Sequence, residues 1–314
     1  DSFGLENLMI KRVVVLFKIG RKLAQSEILD IFSKFHKVPI LIKVLFYLLS
    51  FSIKKKNEVN YNIDDKERLS SSLQSMGTTF IKLGQFLATR PDIIGENLSK
   101  QLEKLQDKLP PFPLSDTKTI IKSDLGDQMF NSILNISEPV AAASIAQVHK
   151  AQINDNGTIK DVAIKILRPE IKKIFNDEID ALMFFAFILE SLVKKTKRLK
   201  LVEVTFLLKQ ITNHEMDLRF EAAAANEYAE NTKNDVGFKV PNIYWNFTSE
   251  NVMTLDWIDG NSIRETEVLK SQNIDTDKIA TDIIQHFLRH AVRDGFFHAD
   301  MHQGNIFIDK SGQI

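Results

Sequence analysis

The sequence contains no cysteine, which excludes disulfide bonds, zinc-finger sites and thiol catalysis. It also has no excess of charge of one sign, because 41 lysine and arginine residues are matched by 41 aspartate and glutamate residues. A chain without a net field is not drawn onto nucleic acid as a whole, so we expect no nucleic-acid partner. Internal repeats are absent as well, whereas 44% apolar residues among 314 are enough for a substantial core.

An apolar run from Val38 to Ile53 is too short to cross a membrane. As a helix it would reach roughly 24 Å, against about 30 Å for the hydrocarbon core, and Pro39 and Lys43 interrupt it. We therefore expect a helix that lies on a surface or packs in a core. With the basic residues around it, the stretch 1–56 could form an amphipathic element on an anionic bilayer, and a helix pair that caps the domain explains the pattern equally well.

Turn and helix signals divide the remaining sequence into helical and strand-like regions. Residues 64–109 predict two helices broken at Arg90 and Pro91, because proline disfavours helix in the residue before it. The other expected elements are a helix from Leu114 towards Gly126, a strand hairpin with its turn at 154–157, a strand at 252–255, and helices at 170–194, 201–232 and 276–293.

A polar octet, His298-Ala-Asp-Met-His-Gln-Gly-Asn305, lies between two apolar segments near the end of the sequence. Protein kinases and their relatives place an aspartate and an asparagine five residues apart in such a loop, the first near the attacking group and the second on Mg²⁺. We predict that Asp300 acts at the catalytic position and that Asn305 binds Mg²⁺. Gly304 would permit the turn of the loop.

The tetrapeptide Val162-Ala-Ile-Lys165 is a second kinase-like motif, on a mostly buried strand. It predicts that Lys165 contacts nucleotide phosphates and that a carboxylate orients it, for which we assign Glu221, the kinase-type partner. The segment from Asp256 to Ile258, which follows the strand at 252–255, is expected to offer backbone groups to adenine.

The octet also permits a metal-hydrolase interpretation. His298, Asp300 and His302 alternate, so a strand would place all three side chains on one face. No second histidine-rich cluster accompanies them, because His214, His286 and His290 fall on predicted helices. We therefore favour the kinase-like interpretation, in which the histidines brace the loop.

Three further motifs narrow the class of kinase-like protein that the sequence indicates. They are Lys82-Leu-Gly-Gln85, the alanine-rich segment Ala141-Ala142-Ala143-Ser144 where a kinase has its glycine-rich loop, and Glu215-Met-Asp217. Together with the octet and the lysine motif they resemble, over roughly residues 60–310, the UbiB family of atypical kinase-like ATPases, also called AarF or ADCK proteins. The resemblance implies an α+β, bilobal protein-kinase-like fold with a helical N-terminal extension. It also implies ATP or ADP with Mg²⁺ as cofactors and ATPase activity in support of ubiquinone (isoprenoid quinone) biosynthesis.

The resemblance also implies roles for the family motifs. Lys82 is expected to pair with Glu215, and Lys82 and Gln85 share a helix face that would cover a docking pocket for a protein substrate. On one continuous helix Glu215 and Glu221 would lie about 240° apart, so each carboxylate would serve its own lysine. Gly84 is expected to let another backbone approach closely.

The alanine-rich segment departs from the kinase pattern in a way that matters for ligand binding. Methyl groups at Ala141, Ala142 and Ala143 restrict the backbone and stiffen the loop. We expect these residues and Ser144 to bind nucleotide in an altered way that does not abolish binding.

The resemblance further implies partners and a location. The partners are a membrane surface and prenylated quinone precursors or quinone-biosynthesis proteins, and the location is the cytoplasmic face of the bacterial inner membrane or its organellar equivalent. We assign residues 1–112 to the extension, 113–255 to the N-lobe and 256–314 to the start of the C-lobe. We expect a longer protein in which the Asp-Phe-Gly metal ligand follows Ile314.

Two other function classes remain open. A small-molecule phosphotransferase of the aminoglycoside or choline kinase type uses a very similar His-x-Asp and Asn loop, but it does not need Lys82-Leu-Gly-Gln85. A catalytically silent lipid-binding scaffold would bind a prenylated phenol or a bilayer without responding to nucleotide.

Overall fold

The computed structural model describes residues 10, 13–22, 65–103, 105, 107, 109–192, 197–299, 301 and 303–314. Residues 13–22 are helical. The helices that follow are α1 (Asp65–Met76), α2 (Thr78–Ala88), α3 (Pro91–Ile94), α4 (Glu96–Leu102), α5 (Leu114–Asn131), α6 (Ile171–Leu192), α7 (Leu201–Glu215), α8 (Leu218–Thr232), α9 (Thr266–Ser271) and α10 (Thr276–Arg289). The strands are β1 (Ile133–Leu134), β2 (Pro139–Ala142), β3 (Ala146–Asp155), β4 (Thr158–Leu167), β5 (Val252–Asp256), β6 (Gly260–Ser262) and β7 (Phe307–Asp309).

The first helical region is more divided than its sequence predicts. The break at Arg90 and Pro91 is confirmed, because Pro91 begins α3. The expectation of only two helices was wrong. Gly77 and Gly95 adopt φ angles of 104° and 83°, and these positive values separate α1 from α2 and α3 from α4.

Strands β1, β3, β4 and β5 form one sheet in that order, with β2 paired to β3, and β6 pairs with β7 in a second sheet. The predicted hairpin is confirmed, since β3 and β4 meet at a turn formed by Asn156 and Gly157. Val162, Ile164 and Ile166 on β4 have no exposed surface. Lys165 therefore projects from the opposite face of the strand, because successive side chains alternate.

One compact unit contains residues 1–111, 142–146 and 168–216. Its core joins α1, α2 and α4 through apolar side chains that include Leu69, Phe80 and Leu98, each at most 2% exposed. Helices α6 and α7 belong to the same unit, and Ala181 brings α6 into this core. Residues 142–146 of the alanine-rich region thus belong to the helical unit, whereas Ala141 belongs to the unit that contains the sheet.

The second compact unit contains residues 112–141, 147–167 and 217–314. One core lies between the larger sheet and α5, and a second, with Leu269, Ile279, Ile306 and Ile308 at its centre, joins α9, α10 and β7. Each unit is therefore assembled from three separate stretches of the chain. The assignment of lobes to 113–255 and 256–314 stays a prediction.

Most of the first 64 residues, including the apolar run 38–53, lie outside the described part of the chain. Within residues 13–22, Ile19 is buried in the helical core and Lys22 donates to the Met76 carbonyl at 3.1 Å. Val13 and Phe17 remain about half exposed, at 52% and 51%. No helix among the described residues is long and apolar enough to cross a membrane.

Candidate active site

The lysine of strand β4 makes the ion pair that its motif predicts. Lys165 Nζ lies 2.7 Å from both carboxylate oxygens of Glu221. The two side chains remain 26% and 47% exposed, so the pair contributes only about 0–1 kcal/mol to stability. Its more important effect is geometric, because it fixes an ammonium group at a defined point above the sheet.

A helix break separates Glu221 from Glu215. The prediction of one helix over 201–232 was wrong, because α7 ends at Glu215 and Asp217 caps a new helix by accepting a hydrogen bond from the amide of Arg219 at 3.1 Å. Glu221 lies in the first turn of α8, where the positive end of the helix dipole favours a carboxylate. The two glutamates serve two lysines, as predicted, but through this break rather than through rotation along one helix.

The second predicted ion pair lies in the helical unit. Lys82 Nζ on α2 is 2.6 Å from Glu215 Oε2 at the end of α7. The lysine side chain is only 13% exposed, so the carboxylate compensates a largely buried charge. Gln85 follows one turn later on α2 and is partly buried. Whether these two side chains cover a docking pocket stays a prediction.

Gly84, between Lys82 and Gln85, is a site of close packing. A Cβ atom there would lie 2.6 Å from Leu105 Cδ2 and 3.1 Å from Leu73 Cδ1. The expected neighbour, another backbone, was wrong. The glycine instead admits the side chains of Leu73 and Leu105 close to α2.

The alanine-rich loop is held by hydrogen bonds to its backbone. The carbonyl of Ala143 accepts from Nε and Nη2 of Arg168 at 3.0 and 2.8 Å, and the carbonyl of Ser144 accepts from the Thr78 hydroxyl at 2.8 Å. Arg168 also donates to the carbonyl of Pro110 at 2.9 Å. The stiffness of the loop stays a prediction, and these hydrogen bonds add a reason for it besides the alanine methyl groups. They come from side chains that sequence reasoning missed.

The four predicted nucleotide contacts of this loop differ in accessibility. Ala141 is exposed, and Ala142 and Ala143 are partly buried. Ser144 has no exposed surface, and its hydroxyl makes no hydrogen bond. This conformation therefore does not offer the Ser144 hydroxyl to a ligand.

The predicted hinge has part of its backbone already engaged. The amide of Asp256 donates to the carbonyl of Asn242 at 3.0 Å, and the amide of Trp257 donates to the carbonyl of Asp161 at 3.1 Å. The Asp256 carboxylate accepts from the Tyr244 hydroxyl at 2.6 Å. If this segment binds adenine, the amide of Ile258 is the donor best placed to do so.

The octet is described at His298, Ala299, Met301 and from Gln303 to Asn305, whereas Asp300 and His302 lie outside the described residues. The Ser262 hydroxyl donates to the carbonyl of Gln303 at 2.8 Å, which ties the loop to β6. Asn305 is exposed and, with Ile258, lines a cavity of about 180 Å³. The predicted roles of Asp300 and the metal triad through His302 therefore remain untested.

A buried polar chain that sequence reasoning missed begins on the helix of Glu221. The hydroxyl of Tyr228 lies 2.7 Å from His290 Nδ1, and His290 Nε2 lies 2.9 Å from Asp235 Oδ2. Arg293 donates to both oxygens of Asp235, at 2.7 and 2.9 Å. The sequence signal that could have indicated it is the four-residue spacing of His286 and His290, which places both on one face of the helix.

The electrostatics of this chain follow from its partners. Hydrogen bonds from Arg293 hold the pKa of Asp235 at about 2, against the opposing effect of burial. Burial raises the pKa of Tyr228 to about 12. Asp235, His286 and His290 bring three potential metal-ligand atoms within 4.8 Å of one another. Arg293 already neutralises the only carboxylate of that cluster, so we do not assign a metal ion to it.

The structure thus brings several of the predicted residues together. It pairs Lys165 with Glu221 and Lys82 with Glu215, and it places Asn305 and Ile258 around one cavity. Asp217 serves as a helix cap.

Comparisons with known proteins agree with this geometry. Residues 104–314 match the family described as the ABC1 atypical kinase-like domain. Proteins called "Probable protein kinase UbiB" from Marinobacter nauticus and Azotobacter vinelandii are each 33% identical, over 301 and 304 residues and 96% of this chain. The chain spans about half the length of these curated relatives, 54% in both cases.

A solved structure shows the same likeness. The complex of Rv3197 with erythromycin from Mycobacterium tuberculosis superposes with a TM-score of 0.52 and 27% sequence identity, covering 74% of this chain and 56% of that one. Fold, ion pair and loop thus define a kinase-like protein. More narrowly, the chain belongs to the ABC1 atypical kinase-like family, and its resemblance to UbiB proteins is confirmed.

Proposed function

We propose that this protein binds an adenine nucleotide with Mg²⁺ and hydrolyses ATP. The observation that carries the proposal is the Lys165–Glu221 ion pair at 2.7 Å, on a strand and a helix of the kinase-like arrangement. An isolated exposed lysine samples many rotamers, whereas a paired one is held ready for phosphate oxygens.

The other residues divide the remaining tasks. Glu221 orients the lysine, the Ile258 amide meets adenine, and Asp300 accepts the proton of the attacking group. The fixed carbonyls of Ala143 and Ser144 keep the alanine-rich loop in one shape. Because Arg168 and Thr78 occupy these carbonyls, the loop adapts to phosphate less freely than a glycine-rich loop.

The described residues fit Mg²⁺ through one oxygen ligand. Asn305 presents an exposed amide beside the cavity, and amide oxygens suit this hard cation. The Asp309 carboxylate at the same cavity already accepts from the amides of Ser311 and Gln313 at 2.8 and 3.0 Å. When bound, Mg²⁺ supplies charge neutralisation for the phosphate oxygens.

The test is ATP turnover by the purified protein. We expect Lys165→Ala and Asp300→Asn to lower kcat by at least about a hundredfold, in line with loss of a phosphate-stabilising group. Lys209→Ala is a matched control, because Lys209 is also 26% exposed and pairs with Asp180 at 2.6 Å. Turnover that stays at the wild-type level in both site variants would reject the assigned roles.

We further propose that this activity supports ubiquinone biosynthesis, as the resemblance to the UbiB family implies. The Lys82–Glu215 pair favours this over a small-molecule phosphotransferase, which has no need of it. A phosphorylated small alcohol detected among the products would support the phosphotransferase instead. Binding of a prenylated phenol with no heat from nucleotide would support the silent scaffold.

A peripheral membrane location is part of the proposal. Residues 13–22 expose Val13, Val14 and Phe17, and the Arg21 guanidinium carbon lies 6.0 Å from the Phe17 ring centroid. Apolar residues beside basic ones suit an anionic interface. We expect sedimentation with vesicles that contain anionic lipid and not with neutral ones. A Phe17→Asp variant that still sediments fully would contradict this surface.

A further inference from the structure

We infer that Tyr228 is a positioning residue that links the helix of Glu221 to the loop that begins at His298. The link itself rests on geometry. Its catalytic consequence rests on the proposed ATP hydrolysis.

The first half of the link is the helix α8. Glu221 and Tyr228 are seven residues apart on it, close to two full turns, so their side chains leave the same side of the helix. Lys165 holds Glu221 by its carboxylate, and Tyr228 is buried, with 7% of its surface exposed. A displacement of α8 therefore moves both groups together.

The second half of the link is the tyrosine hydroxyl. It lies 2.7 Å from His290 Nδ1, and it lines the same cavity as His298, the first residue of the octet. The His298 backbone acts on the hydroxyl in the sense that lowers the tyrosine pKa, as an amide donor does. Asp300 follows His298 by two residues. The position of the hydroxyl thus sets where the loop begins.

The protons of the buried chain can be arranged in one consistent way. The Asp235 carboxylate only accepts, so His290 donates from Nε2, and in the tautomer whose single ring proton is on Nε2 its Nδ1 accepts. The Tyr228 hydroxyl therefore donates to His290 and keeps its lone pairs for the His298 amide. Because Arg293 holds the far end by two hydrogen bonds, the hydroxyl is oriented rather than free to rotate.

Tyr228→Phe isolates the hydroxyl. The ring would keep its edge contacts with Phe238 and with His290, whose centroids lie 5.6 and 5.2 Å away. Thr117→Val is the matched control, because it also removes a buried hydroxyl that bonds to a buried histidine, His149, at 3.1 Å. A general loss of packing or stability would affect both variants.

The first measurement is amide hydrogen exchange of a peptide covering residues 296–305, in the protein without nucleotide. We expect exchange to become roughly fivefold faster in Tyr228→Phe, the factor that corresponds to one lost hydrogen bond, and to stay unchanged in Thr117→Val. Equal exchange in Tyr228→Phe and wild type, or equal acceleration in both variants, overturns the link.

The second measurement separates binding from turnover. We expect Tyr228→Phe to lower kcat about tenfold while the Kd for nucleotide stays within about twofold, because the loop acts after binding. Unchanged kcat in a variant whose loop exchanges faster overturns the catalytic consequence. If the wild-type protein does not turn over ATP, the proposed function is wrong. The hydrogen-exchange result still decides whether Tyr228 positions the loop.

A second variant covers the case in which Tyr228→Phe does not fold. His290→Gln leaves the tyrosine in place and removes the imidazole that orients its hydroxyl. We expect faster exchange in the same peptide. Exchange equal to that of the wild type overturns the inference.

Discussion

His149 shows how a single buried residue can fix both a tautomer and a connection in the fold. Its Nδ1 lies 2.8 Å from the carbonyl of Ser137, which only accepts, so Nδ1 carries the proton. Its Nε2 then has one lone pair, which accepts from the Thr117 hydroxyl at 3.1 Å, and Gln147 donates to that hydroxyl at 3.1 Å. Gln147 in turn bonds to the backbone of Phe112 at 2.9 and 3.2 Å, which joins the start of α5 to strand β3.

This arrangement predicts a dependence of stability on pH. Burial lowers the pKa of His149, against the opposing effects of the Ser137 carbonyl and the Glu138 charge. The unfolded state therefore binds the proton more readily than the folded state. The contribution of the neutral imidazole is fully present above a pH of about 6.5, the ordinary pKa, and is lost as pH falls through the lower folded value.

Replacing His149 should remove that dependence. We expect His149 to lower the free energy of unfolding of the wild type by up to about 1.4 kcal/mol per pH unit below pH 6.5. In His149→Gln, the free energy of unfolding should fall less steeply with pH. His214→Gln, at an exposed position of α7, is the control. Urea unfolding between pH 5 and 8 measures the slopes, and parallel curves for wild type and His149→Gln would contradict the assignment.

At the residue scale, the sequence predicts the contacts of residues that belong to recognisable motifs. Lys165 and Glu221, and Lys82 and Glu215, belong to motifs whose spacing is recognisable, and the structure forms both ion pairs. Arg168 carries no such signal, because its partners are backbone carbonyls, and any residue type can supply a carbonyl. Tyr228 is missed for a related reason, since its partners lie 62 residues further along the chain or beyond.

At the scale of elements, the alanine-rich loop is shaped by contacts outside itself. Arg168 reaches three carbonyl groups, of Ala143, Pro110 and Leu109, the last at 3.3 Å. Burial lowers the pKa of Arg168, opposed by the charge of Asp107, and its planar fork still serves several acceptors at once. A lysine offers a single point charge and cannot reproduce this geometry.

Arg168→Lys is therefore expected to loosen the loop. We expect faster amide exchange over residues 142–146 and a stability loss of about 1–3 kcal/mol, because two or more charge-assisted hydrogen bonds are lost. Arg90→Lys is the control, since Arg90 makes a two-bond contact with Asp92 at the surface, at 2.9 and 2.7 Å. Exchange over 142–146 that is the same in Arg168→Lys and Arg90→Lys would show that Arg168 does not hold the loop.

The sequence predicts helices better than it predicts their interruptions. The hairpin turn and the helix start at Pro91 follow from residue types with strong local preferences. The break at Met216 does not, because no glycine or proline marks it and the only signal is the capping aspartate Asp217. A cap in the middle of a periodic apolar pattern is easily taken for a solvated helix residue.

At the scale of the whole molecule, ligand binding should be visible as stability. A ligand that binds only the folded state adds about 2.7 kcal/mol at a hundredfold excess over its Kd. The groups proposed to hold nucleotide phosphate and adenine, Lys165 and Ile258, both lie in the unit of residues 112–141, 147–167 and 217–314. Mg²⁺ with ATP should therefore stabilise that unit directly.

We expect Mg²⁺ with ATP to raise the Tm of the protein by roughly 4 °C, because 314 residues have an unfolding entropy of about 0.66 kcal/mol per degree. Lys165→Ala should lose most of this shift because the phosphates lose their cation, whereas Lys209→Ala should keep it. A chelator added with ATP separates the contribution of the metal. If Lys165→Ala and Lys209→Ala gave equal shifts, the nucleotide would have to be held elsewhere, and the ion pair with Glu221 would then be a surface contact of little energetic weight.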